Sequence, residues 1–268
     1  MCKNYFYWFI FLLSFTHSVS ADSKDQWEFG VGTTAFSVPV YPGSSQDESF
    51  IIPFPFLRVK TEYFEMDEGI RGYLFESPST RLNISADFAV PADSDESTTR
   101  NGMEDLKPVV QIGPSLELVF LGGRRQPYEF RFSLPVRTAI ASDLKNTENI
   151  GWVAEPRLTY ETMRSSRSGF AYQVTAGIQY SSQDYNAYYY DVPLSQATAL
   201  RPAYESEAGY GGYFLDLVLN WRDDNLVYFA FTRYKNLDNS SFEDSPLIES
   251  NNYFSAGIGL AWIFASSF

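Results

Sequence analysis

The sequence predicts an all-β fold, a transmembrane antiparallel up-and-down β-barrel of about 12 strands. The clearest support comes from residues 253–268, where Phe254, Ile258 and Trp262 share one parity of large apolar side chains. The intervening residues, among them Gly257 and Gly259, are small or polar. Side chains that alternate with a period of two, hydrophobic on one face only, are the pattern of a strand that has one face toward lipid.

The composition is the second observation. Aromatic residues make up 18% of the chain, with 23 Phe and 19 Tyr, yet the mean hydropathy is only −0.23. Helical membrane proteins concentrate hydrophobicity in long blocks, whereas barrel strands dilute it by alternation. The formal charge of −13 disfavours a nucleic-acid partner, which would need a basic surface.

The third observation is an apolar run near the amino end. Residues 5–15 are too short to span a bilayer as a helix, and the polar stretch that follows ends in Val19, Ser20 and Ala21. This predicts a signal peptide over 1–21, a single barrel domain over 22–268, and export to a Gram-negative outer membrane. A short membrane anchor is the alternative interpretation.

The lone cysteine and the lone histidine, Cys2 and His17, lie within that predicted signal peptide. After cleavage the chain would have no thiol, no imidazole base and no His/Cys metal site. An enzyme would therefore depend on carboxylates, tyrosine or lysine, and no pair of these stands out. The sequence predicts a protein that is not an enzyme and that has no cofactor and no metal.

Alternation along the chain predicts the individual strands. They are 27–37, 50–60, 63–75, 80–90, 108–120, 128–137, 150–162, 170–180, 210–221, 225–234 and 253–268.

Connections rich in Pro, Gly, Asp, Asn and Ser predict long loops at 38–49, 91–107, 140–149, 182–208 and 235–251. Barrels alternate long extracellular loops with short periplasmic turns. Three predicted strands lie between the first two long loops, and an odd number would put these loops at opposite ends of the barrel. Either the prediction misses a strand or includes one too many, or one of the long loops is periplasmic. Strand counts of ten and fourteen therefore stay open.

Charged residues on the less hydrophobic face of the strands are predicted to point into the lumen. The candidate network consists of Arg81, Asp87, Glu117, Glu129, Arg131, Arg137, Glu155, Arg157 and Glu161. Selective channels usually show one dominant sign of charge, but here four arginines face five carboxylates. The mixture favours a structural network that closes the lumen, with a charged pore as the alternative.

The last strand also predicts how the protein enters the membrane. Trp262, Phe264 and Phe268 form an aromatic carboxy-terminal pattern that we interpret as an insertion signal, read by the outer-membrane insertion machinery. The predicted partners of this part of the chain are therefore that machinery and outer-membrane lipid.

Three sets of loop residues have competing interpretations. Tyr185, Tyr188, Tyr189 and Tyr190 are predicted to form an aromatic girdle at the membrane interface, with sugar stacking as the alternative. Residues 201–204 and 243–246 are predicted to belong to a structured cap rather than a partner-binding surface. Asp93, Asp95, Glu96 and Asp105 are predicted to be solvated, with a divalent-cation site as the alternative.

Several segments, in order and spacing, resemble the MipA/OmpV family of outer-membrane proteins. They are Tyr41–Ser44, 69–75 (GIRGYLF), 102–118 (GMEDLKPVVQIGPSLEL), 134–137 (LPVR), 188–192 (YYYDV), 201–212 (RPAYESEAGYGG), 233–247 (RYKNLDNSSFEDSPL) and the terminal AGIGLAWIF.

The resemblance implies a scaffold that links a lytic transglycosylase to a penicillin-binding protein in peptidoglycan remodelling. It also leaves open a role in permeability, antibiotic response or adhesion, and a small-solute channel remains the alternative function. The family resemblance carries over no catalytic residues.

Overall fold

The computed structural model describes residues 26–60, 64–66, 70–123, 126–143, 145–162 and 168–267. The predicted signal peptide and Phe268 lie outside the described residues. Strands dominate the fold. They are β1 (Gln26–Pro39), β2 (Asp47–Lys60), β3 (Phe64–Met66), β4 (Ile70–Glu76), β5 (Thr80–Ala89), β6 (Val109–Gly122), β7 (Tyr128–Ser142), β8 (Thr147–Ala154), β9 (Arg157–Thr162), β10 (Gly169–Ser181), β11 (Gly209–Asp223), β12 (Leu226–Asn236) and β13 (Asn252–Ser266).

The strands form one antiparallel sheet that closes on itself. Apart from β8 and β9, which do not pair with each other, each strand pairs with its neighbours in sequence, and β13 pairs with β1 to close the sheet. Both β8 and β9 lie between β7 and β10, so the two segments share one position in the wall. Counted this way, the thirteen segments occupy twelve positions, which confirms the predicted all-β barrel of about 12 strands.

The prediction of one strand over 63–75 is wrong, because the chain reverses there. Phe64 pairs with Gly72 and Met66 pairs with Ile70, so β3 and β4 form a hairpin. The intervening sequence, Asp67-Glu68-Gly69, has the composition of a turn. This hairpin supplies the missing strand, so four strands and not three lie between the long loops 40–46 and 90–108, and both loops can lie at the same end of the barrel.

Two other predicted boundaries also change. The strand predicted at 150–162 is interrupted at Glu155 and Pro156, where proline cannot donate to the ladder. The long loop predicted at 140–149 is short, because β7 continues to Ser142 and β8 begins at Thr147.

The two faces of the wall differ as alternation requires. Large side chains such as Phe29, Phe120, Trp152 and Leu215 are exposed on the outer face. Polar and charged side chains occupy most inward positions of β5 to β11. Among the described residues, no helix is both long and apolar enough to cross a membrane.

The four long connections, 40–46, 90–108, 182–208 and 237–251, lie at the same end of the barrel and pack into a single cap. Helix α1 (Gln183–Tyr190) begins at the N-cap Ser182, whose side chain accepts a hydrogen bond from Tyr185 N. The cap core joins loop residues such as Tyr41, Phe242 and Leu247 to Ala139 and Val153 of the wall. Because long loops of such barrels are normally extracellular, we expect this cap to lie outside the cell.

Candidate functional site in the barrel lumen

The first group of lumen charges lies toward the end opposite the cap. Arg81 donates two hydrogen bonds to Glu129, at 2.8 and 2.7 Å. Arg131 Nη1 lies 3.1 Å from Glu129 Oε1 and 2.6 Å from Glu161 Oε1. Glu117 lies 3.7 Å from Arg81, so five predicted residues form one cluster, here called the lower charge layer. The register brings them together because Arg81 pairs with Glu117 and Glu129 pairs with Glu161 on adjacent strands.

The other four predicted residues form a second group nearer the cap. Arg137 Nη2 lies 2.5 Å from Glu155 Oε2 and 3.5 Å from Asp87 Oδ2. Arg137 Nε also donates to Gln111 Oε1 at 3.2 Å. Arg157 lies further away, with Nη1 at 3.9 Å from Glu155 Oε2. The nine predicted residues thus divide into two groups, not one.

The sequence prediction missed several inward charges. Arg222 donates to both carboxylate oxygens of Glu28, at 2.9 and 2.7 Å, and Arg58 Nη1 lies 3.4 Å from Glu28. Arg233 donates to both oxygens of Asp216, at 2.7 and 2.9 Å. These side chains belong to strands whose inward face is partly aromatic, so alternation alone gives no clear signal there.

A further missed charge is Lys235, whose Nζ donates to Gln179 Oε1 at 2.5 Å. It follows Arg233 by two positions on β12, so both side chains point inward. The strand register identifies Arg233 as an inward charge, because Arg233 pairs with Asp216 on the neighbouring strand.

Burial shows how far these groups fill the lumen. The side chains of Glu129 and Arg137 are 0% and 2% exposed, whereas charges lining an open pore would be hydrated. By contrast, the side chains of Asp87, Arg157 and Arg233 are 40%, 26% and 36% exposed, although their positions face inward. These three border a space inside the barrel, here called the chamber, between the lower charge layer and the cap.

A second side of the chamber, which begins next to Arg233 on β12, is aromatic. Phe54 and Phe229 meet at 6.0 Å between ring centroids, and Phe36 stacks on Phe50 at 5.2 Å. Inward-facing glycines make room for such rings, since a Cβ at Gly257 would lie 2.6 Å from the ring of Phe231. The lumen therefore combines a charged wall with an apolar wall.

The tyrosine cluster is part of the cap, so the predicted interface girdle is wrong. Tyr185, Tyr189 and Tyr190 are buried in the cap core, and Tyr190 stacks on Phe242 at 4.0 Å between centroids. The girdle prediction failed because the segment that contains these tyrosines folds as helix α1 within a loop and does not extend a strand. Burial raises the pKa of Tyr188 to about 12, even though its hydroxyl hydrogen-bonds with Lys107.

Two buried arginines fasten the cap. Arg201 Nη1 donates to Thr99 O at 2.6 Å, and Arg100 Nη1 donates to Tyr189 O at 3.0 Å, which ties 90–108 to 182–208. Ser245 Oγ donates to Tyr190 O at 2.7 Å, which ties in 237–251. Both segments predicted to belong to a cap, 201–204 and 243–246, lie in it.

The loop carboxylates have local partners. Ser94 N donates to Asp105 Oδ1 at 2.9 Å, and Asp93 accepts from Asp95 N at 2.9 Å. Among the residues that the structure describes, no three His, Cys, Asp or Glu side chains are placed to share a metal ion.

On β13, Trp262 and Phe264 face outward and are exposed, and their role as an insertion signal stays a prediction.

A closed antiparallel barrel with an apolar outer face, a charged lumen and long loops on one side defines an integral outer-membrane β-barrel protein. Residues 31–264 match the family model described as "MltA-interacting protein MipA". The chain therefore belongs to the MipA family.

Two curated relatives are outer-membrane proteins. Outer membrane protein OmpV of Vibrio cholerae serotype O1 is 29% identical over 179 residues, which cover 65% of this chain and 62% of that protein. Outer membrane protein Omp26La of Vibrio anguillarum is 36% identical over 92 residues, which cover 33% and 34%. In both cases the match spans less than two thirds of the relative's length. The protein is located in the outer membrane.

Two solved structures align with most of this chain at low TM-scores. The NanC porin aligns with a TM-score of 0.35 at 11% identity, covering 89% of this chain and 98% of that one. The outer membrane protein OprG from Pseudomonas aeruginosa aligns with a TM-score of 0.22 at 8% identity, covering 90% and 93%.

Proposed function

We propose that this protein is a non-enzymatic outer-membrane scaffold for peptidoglycan remodelling, which binds a lytic transglycosylase and a penicillin-binding protein at its periplasmic end. The observation that carries the proposal is the obstructed lumen. The lower charge layer and the packed cap obstruct the lumen at two levels, and a barrel obstructed in this way is better suited to holding partners on its surface than to free diffusion of solutes.

The family description supports the choice of partners, because its printed name refers to interaction with MltA, a lytic transglycosylase. Two of the short turns differ in charge from the cap loops. In sequence, the turn 123–127 contains Arg124 and Arg125, and the connection 163–168 contains Arg164 and Arg167. The cap loops are acidic, as in Asp93, Asp95 and Glu96, so an acidic partner surface would be attracted to the periplasmic end.

The test is capture of the two purified enzymes by the detergent-solubilised barrel. A variant with Arg124→Gln and Arg125→Gln should bind a partner more weakly, and a variant with Arg164→Gln and Arg167→Gln provides a second, independent turn. The matched control removes two positive charges at the other end, with Lys107→Gln and Lys145→Gln, and should bind as the wild type does. Capture no better than that of an unrelated barrel would contradict the scaffold.

A small-solute channel is the second candidate, and the chamber is the observation that favours it. Asp87, Arg157 and Arg233 present partly exposed charged groups to an internal space. Passage of solutes would require both the cap and the lower charge layer to open. Bilayer conductance measurements separate this candidate from the scaffold.

A further inference from the structure

The charges around the chamber do not balance. Among the described residues, the cations are Arg137, Arg157, Arg233 and Lys235, and the carboxylates are Asp87, Glu155 and Asp216. These groups are near enough to influence one another electrostatically. Four positive groups against three negative ones leave an excess of one positive charge beside the chamber, which favours binding of an anion.

Arg157 is the cation with the weakest pairing. Arg137 and Arg233 each have a carboxylate within 2.7 Å, whereas Arg157 reaches only Glu155, at 3.9 Å, and Glu155 is already bound by Arg137. No hydrogen bond from the Arg157 guanidinium is formed within the described part of the chain.

The orientation of Arg157 makes it available to a ligand. It pairs with Ser133 on β7 and with Gly177 on β10, and all three positions face inward. The exposed quarter of its side chain therefore faces the chamber rather than lipid. Because Gly177 has no Cβ, the start of the Arg157 side chain can lie against that strand.

The apolar wall begins immediately next to these charges. On β12 the inward positions run Phe229, Phe231, Arg233 and Lys235 toward the cap. The distance along the strand from Phe229 to Arg233 is four residues, or about 13 Å at about 3.3 Å per residue. One face of this stretch is lined by aromatic rings that are only half buried.

We infer that the chamber is a binding site for a small organic anion that has an aromatic or aliphatic body and one carboxylate-like head group. The head binds the guanidinium of Arg157 next to Arg233, and the body packs on Phe231 and Phe229. Arginine suits this role because its planar donors match a carboxylate in bidentate geometry. The inference does not depend on the scaffold proposal, because it concerns the lumen and not the periplasmic turns.

The test uses three fluorinated probes and ¹⁹F NMR with the purified protein in detergent. The probes are 4-fluorophenylacetate, its neutral analogue 4-fluorophenylacetamide, and fluoroacetate, which has the charge without the ring. Samples are followed until the signal is constant, because entry requires the cap or the lower charge layer to open. We expect saturable binding of 4-fluorophenylacetate that is about ten-fold tighter than that of the amide, the effect of one charge-assisted hydrogen bond. Fluoroacetate should also bind more weakly, because it has no ring to pack on Phe231 and Phe229.

Variants then locate the site. Arg157→Gln should weaken binding of 4-fluorophenylacetate by about ten-fold, while Arg157→Lys retains the charge and should lose less. Lys145→Gln removes an exposed positive charge outside the lumen and should change nothing. Heat-modifiable electrophoretic mobility confirms that each variant remains a folded barrel.

Three results would overturn the inference. They are the absence of saturable binding to the wild type, equal binding of the acid and the amide, and undiminished binding to folded Arg157→Gln. Loss of partner capture in the turn variants would leave the chamber measurement unaffected, so failure of one proposal is distinguishable from failure of the other.

Discussion

Individual charged residues brace the barrel across its interior. Glu28 on β1 binds Arg222 on β11, although β12 and β13 separate the two strands in the sheet. In the same way, Arg81 on β5 reaches Glu129 on β7 across β6. A buried ion pair of this kind adds little net stability compared with an apolar pair, but removing one partner leaves an uncompensated buried charge.

Replacing Glu28 with Gln should therefore destabilise the barrel. Glu28→Gln leaves the buried guanidinium of Arg222 without its carboxylate, and we expect the free energy of unfolding to fall by about 3 kcal/mol. Urea unfolding in detergent measures the change. Glu148→Gln is the matched control, since Glu148 is exposed, and an equal unfolding midpoint for the two variants would contradict the bracing role.

Tyr188 should give the cap a dependence on alkaline pH. Its pKa in the folded protein is about 12, above about 10 for an unperturbed tyrosine, so the folded state favours the neutral phenol. The stabilisation is complete below pH ~10 and is lost as the pH rises toward the folded value. A tyrosinate absorbance titration should show a group ionising near pH 12 that is missing in Tyr188→Phe. If the missing group instead titrates near pH 10, Tyr188 is not buried as described.

At the scale of elements, alternation predicted most strands because one face of each meets lipid. It failed where that contrast is absent. β3 has only three residues, too few to display a period of two, and the inward face of β12 includes Phe229 and Phe231. Arg233 and Lys235 were missed for that reason. Helix α1 could not be recognised because its aromatic residues face a cap core made by distant loops, which no local pattern reveals.

The connection between α1 and the other loops rests strongly on Asn186. Its side chain is buried, accepts from Ser181 Oγ at 2.6 Å, and donates to Glu207 O at 2.7 Å and to Ser241 Oγ of the connection 237–251 at 3.3 Å. Asn186→Ala should leave these partners unsatisfied and weaken the cap by about 1–3 kcal/mol.

Limited proteolysis of the loops 182–208 and 237–251 measures that effect. Asn186→Ala should be cut faster in both loops, while the barrel strands stay protected. Gln183→Ala changes an exposed residue of the same helix and should be cut at the wild-type rate. Equal rates for the two variants would show that Asn186 does not fasten the cap.

At the scale of the whole molecule, the barrel combines an obstructed lumen with two chemically different ends. The cap presents acidic loops at one end, and the opposite end presents the short turns at which we propose that the partners bind. The chamber lies between the two ends. This arrangement fits a protein that acts through its surfaces and that holds a small anion inside, rather than one that conducts solutes continuously.

Single-channel recording of the purified wild-type protein in a planar bilayer tests this arrangement most directly. With the cap and lower charge layer in place, the protein should insert without a steady open-state current, while an open porin in the same bilayer conducts. A steady current from the wild type, with selectivity altered by Arg157→Gln, would contradict the obstructed barrel and establish the channel instead.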